Sequence, residues 1–148
     1  MITFNRSQVI GAEFPDEEIV RFNGIQVDHI YSMEINMDVR ISDGEILAIV
    51  GLMKRYTNFV CPDAIPVLQN TVGMSLIEEG WERRIMKEIG RQGCEHFAEI
   101  IIECGHSFDQ ARLSKALWQA LETNPDLDQL EFMENWIAEE ADSTPISS

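Results

Sequence analysis

Residues 33–41, MEINMDVRI, alternate without a fault: Met33, Ile35, Met37, Val39 and Ile41 fall on one side, Glu34, Asn36, Asp38 and Arg40 on the other. A period of two fits an extended chain with one face against a core and one toward water. Asp43-Gly44 follows and predicts a two-residue hairpin turn, because both residues tolerate positive φ. The return run ILAIVGLM, residues 46–53, is apolar throughout. That pattern predicts a central strand covered on both faces. Upstream, Ile25, Val27, His29 and Tyr31 alternate with Gln26, Asp28 and Ile30 as a noisier strand. Asn23-Gly24 reads as the turn before it, residues 19–22 as another strand, and TFNRSQVI near the start as an edge strand.

Past residue 54 the period changes. Residues 54–60 read as a loop, Pro62 suits the first turn of a helix, and Pro66 would distort that helix. Leu76, Ile77, Trp81, Ile85, Met86 and Ile89 recur at helical spacing over residues 75–89, despite Gly80. Residues 94–104 predict a further helix with Phe97, Ala98, Ile101 and Cys104 on one side, ended by Gly105 as a left-handed residue. Ser107-Phe108-Asp109-Gln110 has the form of a capping box opening a helix through Ala111, Leu113, Leu117 and Leu121. Leu127, Leu130, Met133 and Ile137 mark a last, acidic helix. Strands first and helices after predict one α+β domain over residues 1–140. Its antiparallel sheet comes from the N-terminal third, and the C-terminal helices pack on one face. Residues 141–148 read as a disordered tail.

The formal net charge of −15 repels nucleic-acid backbones and anionic membranes. Neither is an expected partner, whereas a basic protein surface would suit the acidic last helix. No run approaches the roughly 20 apolar residues of a membrane span, and the N-terminus lacks the basic start and apolar stretch of a signal peptide. Three cysteines imply no disulfide framework. The expectation is a cytoplasmic protein with reduced thiols.

The chemistry concentrates in RQGCEHFAEIIIECGH, residues 91–106, with two Cys-x-His pairs. Cys94 and Cys104 stand about 15 Å apart along one helix, so the pairs cannot share a metal. Cys104 reads as core, His106 as a complement to the helix C-terminus, and His29 as a half-buried strand histidine. Cys94 and Cys61 each fall at a predicted helix start, where unpaired N–H groups favour thiolate. Converging helix starts would bring Cys61, Cys94 and His96 together as soft metal ligands, with Asp63 or a strand residue as a fourth, for zinc or an iron–sulfur cluster. The alternatives are cysteines that pack as small hydrophobes in an accessory or interaction domain, or a nucleophilic Cys94 with His96 as base. Residues two apart on a helix point about 200° apart, so His96 can serve Cys94 only if the helix begins between them. Glu99 and Glu103, four apart, read as a solvated helix face. Phosphate-loop, dinucleotide-binding and serine-hydrolase motifs are missing.

The stretch NFVCPDAIPVLQNTVGMSLIEEGWERRI, with Gly93-Cys94-x-His96 and the hairpin strands, resembles the domain-of-unknown-function 2889 family over residues 25–106. The resemblance implies no reaction. Relatives often place a His two residues before the position of Met33, where this chain has Tyr31. More distantly, CPDAI at residues 61–65 and GCEHFAE at residues 93–99 resemble the cysteine sites of IscU/NifU-like iron–sulfur scaffold proteins, without their early cysteine. That likeness implies a degenerate scaffold-like module.

Overall fold

The computed structural model describes residues 1–143. The chain divides into two compact units, Met1–Phe108 and Asp109–Ser148. In the first, β1 (Arg6–Glu13), β2 (Ile19–Asp28), β3 (Ser32–Arg40) and β4 (Ile46–Arg55) form an antiparallel sheet in the order β1-β2-β3-β4. The α+β class read from the alternating and helical periods is what the chain adopts. The alternation of β3 holds: Met33, Ile35, Met37 and Val39 are all at most 1% exposed and face the core with Val20, Phe22, Ile46 and Ile49. The apolar run of β4, however, does not make a central strand. β4 is an edge of the sheet, and Val50 and Leu52 stay exposed on its outer face.

Asn23-Gly24 is not a turn. Both residues lie inside β2, where Gly24 pairs with Ile10 and Ile35. Helix α2 (Glu95–His106) packs on this face. A Cβ at Gly24 would collide with Cγ2 of Ile100 and stand 3.3 Å from Sγ of Cys104. Gly51 in β4 plays the same part: a Cβ there would run into Leu68 and come within 3.2 Å of the Phe97 ring. Glycine weakens a strand on its own account; here it lets a helix seat directly on the sheet.

The true turn after β2 is held by Asp28. Its Oδ1 accepts from the amides of Ile30 at 2.8 Å and Tyr31 at 2.7 Å, and Oδ2 accepts from Arg6 Nε at 3.0 Å. The Tyr31 amide is the largest cause, with the Ile30 amide and Arg6 adding and burial opposing, and the carboxyl is pulled down to about 2. Between β3 and β4 the loop occupies residues 41–45, longer than a two-residue turn. Only Gly44 is left-handed there, at φ 70°, because Asp43 instead accepts from the Glu45 amide and Arg40 and bridges the loop with its side chain.

Two 3-10 segments, Cys61–Ala64 and Pro66–Thr71, follow, each carrying a proline in its first turn. The helix predicted over residues 75–89 is shorter. Gly80, at φ 80°, delimits α1 (Trp81–Ile85), which runs into a π-helical turn, Met86–Gly90. Gly105 does not end α2. It lies within the helix and has no positive φ; a Cβ there would strike the Trp81 ring, with Cζ3 at 2.7 Å. Nor does Ser107 form a capping box, since its hydroxyl donates back to the Glu103 carbonyl at 2.9 Å.

Helix α3 (Phe108–Thr123) leads into the second unit, which α4 (Gln129–Ser143) completes. Within that unit Arg112 reaches both carboxylate oxygens of Glu140, at 3.1 and 3.2 Å. Asp128 accepts from the Glu131 amide at 3.1 Å and caps α4. Residues 141–143, read as the start of a tail, are its last residues; residues 144–148 lie outside the described residues.

Gly24→Ala is expected to cost about 1–3 kcal/mol by overpacking a stiff β-branched neighbour. Gly11→Ala, whose Cβ would meet nothing nearer than 3.9 Å, should stay within about 0.5 kcal/mol. Urea unfolding of both variants checks the contrast. Because the folded Asp28 pKa is depressed, its contribution is fully present above the unfolded value of 3.8 and is lost as pH falls toward about 2. Asp28→Asn should flatten the pH dependence of stability in that window, as read by acid titration.

Candidate functional site: a thiol cluster at the start of α2

Cys94 precedes α2 in extended conformation, at φ −139° and ψ 120°, and the helix starts at Glu95. The helix therefore begins between Cys94 and His96, the one condition under which the two can meet. Cys94 Sγ lies 3.9 Å from His96 Nδ1. The His96 ring packs on Tyr31, with centroids 4.3 Å apart. The Tyr31 hydroxyl is 3.4 Å from Oγ1 of Thr57, which is 3.6 Å from Cys61 Sγ. Three segments thus converge: the exit of the Asp28 turn, the loop after β4, and the start of α2.

Both thiols are half-buried, and their ionisation is pushed in opposite directions. The Asn58 amide, then the Thr57 hydroxyl, hold the Cys61 thiol below its ordinary value. Burial pushes the Cys94 thiol up, against the amides of Phe97 and His96, and a negative Cys61 pushes it further. The expectation that the α2 N-terminus makes Cys94 the acidic thiol is reversed, because desolvation outweighs the helix amides. Cys61 is acidic, and the cause is local loop amides rather than an α-helix.

Asp63 does not join the cluster: it is exposed, and its side chain makes no hydrogen bond to Cys61, Cys94 or His96. Among the described residues, no group of three or more His, Cys, Asp or Glu could hold a metal ion. Cys104 is fully buried at the Gly24 contact, and burial raises its thiol to about 12. His106 ends α2 between Glu82 and Glu103, at 3.5 and 3.8 Å, beside the Trp81 ring. His29 is exposed in the turn against Phe4, not on a strand.

Tyr31 and Thr57 escaped the reading of the residues. Tyr31 carried a signal, as the place where relatives of the resembled family often have His. Thr57, an ordinary loop residue, carried none. Thr57→Val removes a donor to Cys61 and should shift the pH profile of Cys61 alkylation upward. Tyr31→Phe, which keeps the ring on His96, should move it less. Rates of iodoacetamide labelling followed by peptide mass spectrometry check both.

No curated protein and no solved structure matches the chain, and the likeness to iron–sulfur scaffolds gains no support. No helix among the described residues is long and apolar enough to cross a membrane. The sequence model of one family, described as a protein of unknown function (DUF2889), matches residues 7–110. That match spans more than half of the chain and takes in Cys61, Cys94 and His96, and the chain belongs to the DUF2889 family.

Proposed function

We propose that the chain is a thiol-chemistry domain in which Cys61 is the reacting thiolate and Cys94, next to His96, is the partner thiol. The supporting observation is the run of contacts from Cys94 through His96, Tyr31 and Thr57 to Cys61, with ionisation favoured at Cys61 and disfavoured at Cys94. A readily ionised thiol within reach of a second thiol is what thiol–disulfide exchange uses. The Cys61 thiolate attacks one sulfur of a small disulfide, forming a mixed disulfide and expelling one thiolate. Cys94 passes its proton to His96 and attacks the Cys61 sulfur. A Cys61–Cys94 bridge forms and the second thiolate leaves. In a reducing compartment such as the cytoplasm, both thiols return to the free form.

A second reading keeps the soft donors as ligands: Cys61 and Cys94 thiolates and His96 nitrogen on zinc or an iron–sulfur cluster, with Asp63 recruited by movement of its 3-10 turn. It rests on the donor chemistry alone. Site-resolved alkylation, oxidation by a small disulfide, and zinc titration separate the readings. The thiol reading expects Cys61 to be labelled faster than Cys94 at neutral pH. Cys61→Ser should abolish the fast reaction, and Cys94→Ser should stop oxidation at the mixed disulfide. Stoichiometric zinc that is lost in Cys61→Ser and Cys94→Ser favours the ligand reading. Slow, equal labelling with no zinc bound sinks both and leaves an accessory domain with packing cysteines, for which a basic partner is the candidate.

A further inference from the structure

The opposite flank of α2 carries a second polar feature, independent of the thiols. Between the β1–β2 edge of the sheet and α2 lies an open cleft of about 400 Å³, lined by Arg6, Gln8, Gln26, Glu99, Ile102 and Glu103. Gln26 is 1% exposed, yet its Nε2 has no hydrogen-bond partner among the described residues. Its Oε1 accepts from Gln8 Nε2 at 3.2 Å, so the amide is anchored by one end and offers the other. Leaving a buried donor unpaired is costly. The neighbouring carboxylates of Glu99 and Glu103 favour this orientation, since they would repel a Gln26 oxygen turned toward them. Arg6 gives Nε to Asp28 and sets its guanidinium 5.2 Å from the Phe4 ring centroid, and among the described residues its terminal nitrogens make no hydrogen bond.

We propose that this cleft binds a small zwitterion, with its carboxylate on Gln26 Nε2 and Arg6 and its ammonium on Glu99 and Glu103. The strands supply the donors Gln26 and Arg6, and α2 supplies the acceptors Glu99 and Glu103 with the apolar Ile102 beside them. An anion alone would meet the two glutamates and a chain of net charge −15. A cation alone would leave Gln26 unpaired. A molecule with both charges satisfies both walls, and the volume falls within the roughly 300–1,000 Å³ usual for small-molecule sites. Glu103 already stands 3.8 Å from His106 Nδ1, so Glu99, which has no such neighbour, carries more of the ammonium.

The test is a titration of the full ¹⁵N-labelled chain with glycine and with 4-aminobutyrate, following the Gln26 side-chain amide and the backbone amides of residues 26, 99 and 103, the latter also readable in Gln26→Leu. Butyrate and butylamine serve as single-charge comparators. Saturable shifts are expected with at least one zwitterion, with binding weaker by about tenfold or more for either comparator, in keeping with the worth of a charged hydrogen bond. Glu99→Gln, an exposed substitution that leaves the core alone, should weaken binding by about tenfold. Gln26→Leu should abolish it without loss of the folded spectrum, since it removes an unpaired donor. No saturation with either zwitterion overturns the proposal. Equal binding of butylamine, meaning general attraction to an acidic surface, also overturns it, as do shifts that persist in Gln26→Leu.

Discussion

The first unit depends on one contact, the seating of α2 on the inner face of the sheet through Gly24 and Gly51. An ordinary side chain at either position would hold the helix away from the strands. With hydrogen in place of Cβ, Ile100 and Cys104 settle over β2, and Phe97 and Leu68 over β4, all nearly or fully buried. Packed interiors resist continuous deformation, so this seating fixes where the helix begins, which residues lie over the β1–β2 edge, and which face the Trp81 ring. Gly105 repeats the device toward Trp81, whose ring takes the space a Cβ would fill.

Fixing the start of α2 sets the chemistry of its first residues. A helix N-terminus acts on a thiol through exposed amides and roughly half a positive charge, and Cys94 does receive the amides of Phe97 and His96. The seat that orders the helix also desolvates Cys94, and burial disfavours the charged form. The two effects oppose each other at one sulfur, and burial is the larger. Cys61 lies on a short 3-10 turn next to a solvated loop. The amides of Asn58, Thr57 and Cys61 and the Thr57 hydroxyl act on it, and desolvation is no longer the largest effect.

The features legible in the sequence were those set by period. The alternation in residues 33–41 marked β3 and its inner face, and the stripe in residues 94–104 marked α2. Cys61, Cys94 and His96 were conspicuous as chemistry-bearing residues at element starts, but Tyr31 and Thr57, which stand between them, were not. Glycine defeated the reading twice for one physical reason. Gly24 and Gly105 look like turn and stop signals, since left-handed backbone is the commonest local demand for glycine. Their demand is non-local: space for Ile100 in one case and Trp81 in the other. The apolar run of β4 was misplaced because continuous hydrophobicity cannot distinguish a strand covered on both faces from an edge strand that leaves Val50 and Leu52 in water. The sign of the Cys94 shift was hidden for the same reason, as burial belongs to the packed chain and not to the residues beside it.

The inner face of β2 links the sheet to both polar sites. Reading along the strand, it changes from Val20 and Phe22, through Gly24, to Gln26 and Asp28. The apolar core ends where the helix makes its closest approach, and the next two inward positions are polar but still buried. Asp28 is fully paired, and what it pairs with is the turn that presents Tyr31. Its bond to the Tyr31 amide fixes the residue whose ring lies on His96, and His96 in turn meets Cys94. A buried carboxylate with three donors is rigid because each donor must move for it to move. The thiol cluster is therefore oriented from the sheet side by Asp28 as well as from the helix side by Gly24. Gln26, one inward position earlier, has only Gln8 as side-chain partner among the described residues. One of these two buried polar residues organises its neighbours, and the other is left with a donor to give.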